Sequence, residues 1–499
     1  MTAGGSLDLV LDVGTGSVKG ALVGDSRARH AEGEHPLPGA SQAGNISEQD
    51  AQAWWTAASA LARDLTQNGG RVARVVLTGQ MQTLTLNGHD GRPLRQAISY
   101  GDTRAQEEAA ELAAMFGETG LQSATGNDVD AASLLAKALW LKRHEPDALE
   151  HAAGVSLGAA DHLAGRLTGR VGPQAVCDTT TASTTGLMDR AKQQALPGDV
   201  FDRLGLAGFA AKLPRFVAGG TQAGVMNEAA AAGWHVPAGT PVHVAPGDAG
   251  SNTVGAGAGE PGAASIYLGT SGWLAFTADA AGDPNQGVFN LAHPGENRVF
   301  QVAPLLTAAG NLAWFEKAHP NERSTGERID AALSRPPTPL IYLPYLAGER
   351  SPFRDPDVRG AFVGLTTETT QDDMLRAVLE GVAFAYRHAA EALQVDASAQ
   401  ENTSWTVSGG GSRSPAWMAL LASVLGRPLQ VLGDAEWAGV QGAWHAARVS
   451  AGETKGWSLP VEGQTVQPTV VPGLGSRYRT FREATDALRP VFRQAVEGA

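Results

Sequence analysis

At 499 residues the chain exceeds what one hydrophobic core usually supports, so two large domains are expected. Apolar residues make up 43% and charged residues 18%, and a net charge of −13 argues against nucleic acid or an anionic membrane as the main partner. Cys177 is the only cysteine, which excludes an intramolecular disulfide and a four-thiolate zinc site. The first residues reach Asp8 and Asp12 almost at once, unlike a signal peptide, and no apolar run is long enough to span a bilayer. A cytoplasmic protein is the expectation.

In chain order, residues 7–24 predict two strands around Asp12-Val-Gly-Thr-Gly-Ser17. Residues 49–67 predict a helix with Asp50 near its start and Trp54, Ala58 and Leu61 on one face. A short buried strand at 72–77 leads into Gly79-Gln-Met-Gln-Thr83, and 131–144 predicts a helix ending near Pro146. A strand at 242–245 runs into Pro246-Gly-Asp-Ala-Gly250, and the domain boundary is placed here, giving domains 1–245 and 246–499. Residues 263–277 repeat the opening pattern, strand, Gly269-Thr-Ser-Gly272, strand. A strand at 340–343, a long helix at 372–393, a strand at 404–407 and Gly409-Gly-Gly411 before another helix follow. A terminal helix at 478–496 is expected to pack back on the first domain. Strands and helices alternate in both halves, so the class is α/β.

The repeated glycine hairpin is the strongest chemical signal. Glycines let successive N–H groups turn toward an anion, and two such nests would suit a polyphosphate. The run Gly14-Thr-Gly16-Ser-Val-Lys-Gly20 precedes a strand rather than a helix, which rules out a dinucleotide fingerprint, and no Gly-Lys dipeptide exists for a P-loop. Asp12 is a candidate magnesium ligand beside phosphates, or else a turn aspartate. Asp248, after a strand and before a glycine-rich helix start, is a candidate general base, or else an N-cap. Gln80, Met81, Gln82, Asp102 and Arg104 form a polar cluster able to read sugar hydroxyls, though any of them could sit on the surface.

Taken together these motifs resemble the FGGY carbohydrate kinase family over nearly the whole chain. Pro344-Tyr-Leu-Ala-Gly-Glu-Arg-Ser-Pro352, Arg359-Gly-Ala-Phe-Val-Gly-Leu365 and Asp373 to Gly381 resemble its C-terminal signature. Gly409-Gly-Gly-Ser-Arg-Ser-Pro-Ala-Trp417 is similar to its adenosine-binding segment, and Lys137, Trp140 and Glu145-Pro146 to its N-terminal signature. The resemblance implies an actin-like ATPase fold of two ribonuclease H-like lobes around a central cleft, with ATP and Mg2+ as cofactors. It implies Asp12 at magnesium, Gly14, Thr15, Gly16 and Ser17 with Gly269, Thr270 and Ser271 at the phosphates, and Asp248 as base. It also implies Gly310, Asn311, Gly409, Gly410, Gly411 and Arg413 beside the nucleotide.

The implied substrate is a ketopentose, D-xylulose first, with ribulose, another ketose or a polyol as the alternative and a non-catalytic sugar or nucleotide sensor as the reading of another class. Members acting on xylulose usually read Gly-Gln-Met-His-Gly where this chain has Gly79-Gln-Met-Gln-Thr83, so Gln82 replaces a histidine. A segment often reading Trp-Asn-Asp-Gly-Arg is Tyr100-Gly-Asp-Thr-Arg104, and Leu134 stands where a small hydroxyl or proline is common. Members of the family often form homodimers, but no interface signal is legible in the chain.

Overall fold

The computed structural model describes residues 6–67, 71–117, 119–395 and 404–497. Two compact units emerge, one of Met1–Gly255 with Asn290–Phe300 and Trp437–Leu459, the other of Ala256–Phe289, Gln301–Glu436 and Pro460–Ala499. The strands that organise them are β1 Leu7–Val13, β2 Ser17–Val23, β3 Arg29–Pro36, β4 Val72–Gly79, β5 Gln222–Val225, β6 Pro241–Val244, β7 Ala264–Leu268, β8 Gly272–Ala278, β9 Phe289–Ala292, β10 Val299–Leu305, β11 Trp405–Ser408, β12 Leu429–Leu432 and β13 Gly463–Val466. The helices that matter for the site are α1 Ala51–Thr66, α2 Ala159–Thr168, α3 Asp248–Gly255, α4 Gly310–Ala318, α5 Gln371–Ala392, α6 Pro415–Leu425, α7 Ala438–Ser450 and α8 Leu474–Glu497.

The first unit is built on a mixed sheet in the order β5-β6-β4-β1-β2-β3. β1 pairs antiparallel with β2, placing Asp12 opposite Lys19, and parallel with β4, which in turn runs parallel to β6. Leu9, Val10 and Leu11 are all fully buried, so β1 reads as an unbroken apolar run because both faces of the sheet are covered. Leu9, Leu11 and Val13 join a core with Trp54, Ala58 and Leu61 of α1 and with α2. Val10, Ala21, Val76 and Ala245 form the other face, packed on Trp437, Val440, Ala443 and Trp444 of the α7 segment. The expected cap of α1 is present, since Asp50 Oδ1 accepts the Gln52 N–H at 2.8 Å. Helices α3 and α7 cross backbone to backbone, and a Cβ at Gly442 would lie 1.9 Å from the Ser251 carbonyl oxygen.

The second unit carries a seven-stranded sheet in the order β9-β10-β8-β7-β11-β12-β13. β7 and β8 form the second glycine hairpin, with Tyr267 opposite Trp273 and the two rings stacked 4.1 Å apart, and β11 runs parallel beside β7. The long α5 is buried along most of its length and opens with a capping box between Thr370 and Asp373.

The two units divide differently from the expected 1–245 and 246–499. The opening stretch of the first unit runs to Gly255 rather than 245, because β6 continues without a linker into α3, which packs on α7 and β4. The helix that returns to the first unit is α7, and the terminal α8 stays with the second. Tyr478 and Phe481 of α8 sit in the second unit's core beside Phe384. Buried carboxylates hold α8 there: Glu380 accepts from Arg477 at 3.0 Å, and Asp355 accepts from Arg489 at 2.9 Å and Arg493 at 3.0 Å. The Pro344–Gly381 signature block therefore supplies the anchors of the terminal helix as well as its own fold. No described helix is long and apolar enough to cross a membrane.

Candidate active site

In the first unit, parallel strands β1 and β6 each deliver a carboxylate near their C-terminal ends. Asp12 is the penultimate residue of β1, and Asp248 opens α3 after the tight Pro246–Gly247 turn that follows β6. Both are partly buried. Burial lifts Asp12 to about 6, partly offset by Lys19. Burial lifts Asp248 to about 7, and the negative charge of Asp12 adds to the rise while the Ala249 N–H, donated to Oδ1 at 2.7 Å, opposes it. Asp12 Oδ1 is buried without a hydrogen-bond partner, and Gly439 of α7 packs so closely that a Cβ there would lie 2.3 Å from Oδ2. An orphaned carboxylate oxygen beside a second carboxylate fits a single hard cation. Magnesium, which keeps most of its ligands as water and phosphate, needs no more than one or two such groups. Among the described residues no cluster of three or more acidic, histidine or cysteine side chains forms a metal cage.

The turn that presents Asp248 is held from several sides. The Pro246 carbonyl accepts from Thr78 Oγ1 at 2.7 Å and Ser251 Oγ at 2.6 Å, and the Gly247 N–H donates to Asp178 Oδ1 at 3.1 Å. A Cβ at Gly247 would sit 2.3 Å from Met81 Sδ and 2.6 Å from Thr181 Oγ1, so a larger residue there would displace the Met81 side chain. Met81 is thereby brought to the turn that carries the candidate base. Its neighbour Gln82 adopts φ +51°, and Gln82 Nε2 donates to the Thr184 carbonyl. The carbonyl cannot donate, so Nε2 must face it, and Gln82 Oε1 is left as a free acceptor.

Three other sugar-reading candidates are engaged by protein groups. Gln80 is buried, its Nε2 donating to Gln49 Oε1 at 2.8 Å. Gln49 in turn donates to the Thr15 carbonyl at 2.8 Å, so the pair props the first glycine loop from behind. Asp102 is fully buried and accepts from Arg104 Nε and Nη2 and from the Ser47 N–H at 2.6 Å. Burial pushes the Asp102 carboxyl up, but the bonds from Arg104 and Ser47 outweigh it and hold it below the usual carboxylate range. Arg104 also pairs with Glu48 at 2.7 Å and lies over the Trp140 ring. Both charges are paired with protein groups.

The glycine loops are hairpin turns whose first N–H is used internally. Gly14 N–H donates to the Ser17 carbonyl at 2.9 Å, and Gly269 N–H to the Ser271 carbonyl at 3.1 Å. What each loop exposes is its tip, Thr15–Gly16 in the first unit and Thr270–Ser271 in the second. In the second unit the carbonyls of Gly269 and Thr270 accept the N–H groups of Ala308, Ala309 and Gly310, which docks the loop on the start of α4. Asn311 is fully buried, its Nδ2 donating to the Thr307 and Ala308 carbonyls and its Oδ1 accepting from the Tyr342 hydroxyl at 2.9 Å. Gly409, at φ +95°, packs on the Leu268–Gly269 peptide, so the 409–413 turn sits beside the second hairpin loop. Gly411 packs on Leu268 and Trp417, while Gly410 and Arg413 are exposed. Helix α6 starts directly after this turn and lines a cavity of about 360 Å³ with Ala416, Ala419 and Leu420, faced by Asp330 and Leu333.

Two family models match the chain. The N-terminal domain of the FGGY family of carbohydrate kinases covers residues 7–255, and its C-terminal domain covers 264–451. The chain belongs to the FGGY family of carbohydrate kinases. It is thus an ATP-dependent phosphotransferase with the two-lobed, actin-like FGGY fold, two mixed sheets with flanking helices. The xylulose kinase of Escherichia coli (strain K12) is 28% identical over 496 residues, which cover 97% of this chain and 98% of that protein. The xylulose kinase structure from Rhodospirillum rubrum is 28% identical with a TM-score of 0.87, covering 98% of this chain and all of that one. The gluconate kinase structure from Lactobacillus acidophilus superposes equally well, with a TM-score of 0.89 over 98% of this chain and all of that one, but at 23% identity it shares the fold alone. The FGGY boundary at 255 coincides with the end of α3.

Proposed function

We propose that this FGGY kinase transfers the γ-phosphoryl group of ATP to a hydroxyl of a ketopentose, D-xylulose foremost, giving D-xylulose 5-phosphate. The observation that carries the reading is the Asp12–Asp248 pair, two part-buried carboxylates whose proton affinities are raised into the range of general acid–base chemistry. Asp248 accepts the proton of the attacking hydroxyl as the oxygen–phosphorus bond forms and ADP leaves with the bond to its bridging oxygen broken. Met81 and the free Gln82 Oε1 line the sugar side. On the first unit the exposed tip at Thr15–Gly16, and on the second the tip at Thr270–Ser271 with the 409–413 turn, are each suited to a phosphate, and on the second unit the cavity along α6 suits the base. Asp12 would hold magnesium, which when bound offsets charge on the transferred group.

D-xylulose is supported by relatives named xylulose kinases at 26–30% identity over most of the chain. A second reading, another ketose or a polyol, is favoured by Gln82, which offers an acceptor where a histidine could also donate. The test is ADP release with MgATP across D-xylulose, D-ribulose, L-ribulose, L-xylulose, glycerol and gluconate, read as kcat/KM. A preference for D-xylulose supports the first reading, and preference for another sugar replaces it with the second. In the same assay Asp248→Ala is expected to lower kcat at least ~10²-fold with the ATP KM little changed. Near-normal turnover would remove Asp248 from the role.

A further inference from the structure

We infer that Asp178 is a positioning residue for the base, acting through the backbone N–H of Gly247 and tying the sugar-side loop to the base-bearing turn. The inference rests on the reading of Asp248 as general base. Asp178 ends the short strand Val176–Asp178 and is 2% exposed. Its Oδ1 accepts two N–H groups, that of Thr181 at 2.9 Å and that of Gly247 at 3.1 Å. The first bond is an ordinary cap of the single helical turn Thr179–Ala182. The second is not local, since Gly247 lies 69 residues further along the chain.

Gly247 immediately precedes Asp248, so this bond fixes the Pro246–Gly247 peptide, one residue before the base. With the Pro246 carbonyl held by Thr78 and Ser251, both ends of the Pro246–Gly247 peptide are clamped, and the Gly247 carbonyl accepts the Ser251 N–H at 2.9 Å. The capped turn continues to Thr184, whose carbonyl receives Gln82 Nε2, while Thr181 and Met81 close on Gly247 from the other side. One buried carboxylate thus sets the spacing between the base and the residues that line the sugar. Misplacing a reacting group by about 1 Å can cost ~10²-fold in rate, which is the scale of effect such a clamp controls.

Asp178→Ser separates the two bonds. Serine caps a helical turn well and keeps the Thr181 contact, but its shorter side chain cannot also reach Gly247. With the fold intact by circular dichroism and thermal melting, this variant is expected to lose about 10²-fold in kcat and to raise the sugar KM while leaving the ATP KM unchanged. Asp178→Asn keeps an acceptor oxygen in place and is expected to recover most of the loss. Placed on Asp248→Ala, Asp178→Ser is expected to add no further loss in kcat, because both act through one group. Wild-type kcat in Asp178→Ser, an equal loss on the Asp248→Ala background, or failure of Asp178→Asn to recover activity would each overturn the inference. Normal turnover in Asp248→Ala alone would instead sink the base assignment beneath it.

Discussion

Replacing Asp248 with asparagine should make the unliganded protein more stable while removing its activity. Burial and the charge of Asp12 raise the Asp248 carboxyl to about 7 from an ordinary 3.8. The native state therefore retains a proton that the unfolded chain has released once the pH exceeds about 4. Stability falls as pH rises through this window, and the loss is complete above about 7. Roughly three pH units at about 1.4 kcal/mol each set a ceiling of ~4 kcal/mol. Solvent access to the partly buried carboxylate lowers the expected gain in Asp248→Asn to about 1–3 kcal/mol at pH 8. That corresponds to about 1–2 °C in Tm per kcal/mol for a unit of this size. Melting curves of both proteins without nucleotide or magnesium, at pH 8 and pH 4.5, read the effect directly, with ADP release measured on the same samples. The variant should melt higher at pH 8, and the gap should shrink toward pH 4.5. An equal gap at both pH values, or a variant less stable than the parent at pH 8, would refute the electrostatic argument.

Gly442→Ala would drive a methyl group against the Ser251 carbonyl at the α3–α7 crossing, and a loss of about 1–3 kcal/mol in denaturant unfolding is expected. A stability unchanged within about 0.5 kcal/mol would show that the helices can part freely. Asp355→Ala removes the acceptor shared by Arg489 and Arg493, so α8 should become a site of limited proteolysis, with ~1–3 kcal/mol lost. An unchanged cleavage pattern would mean that its apolar contacts alone secure the helix. Gln82→Ala should shift kcat/KM among the sugars of the panel while leaving the ATP KM as it was. A uniform drop for every sugar would remove Gln82 as a determinant of choice.

Much of the frame was legible because it depends on local pattern. The two hairpins, the cap at Asp50 and the strand-to-turn positions of Asp12 and Asp248 all follow from apolar runs meeting glycine and aspartate. The sugar-side residues divided for a reason no local pattern carries. Gln80, Asp102, Arg104 and Asn311 are the polar types that read hydroxyls or bases, and each bonds a protein group distant in sequence, Gln49, Ser47, Glu48 and Tyr342 respectively, while Gln80 Oε1 stays buried without a partner. Asp178 was missed, although an aspartate three residues before Thr181 at the end of an apolar stretch is a cap pattern. Its bond to Gly247 had no sequence signal at all. The destination of α7 was equally hidden, since its apolar stripe says that it covers a sheet but not which one.

That last feature bears on how the protein is made. The segment Trp437–Leu459 supplies the cover for Val10, Ala21, Val76 and Ala245, which are translated hundreds of residues earlier. As the chain emerges, the opening unit can close one side of its sheet with α1 and α2, but the other side stays bare while the second unit is synthesised. The first unit to begin is then among the last to finish, and the interval is when exposed apolar strands are open to aggregation or to chaperones.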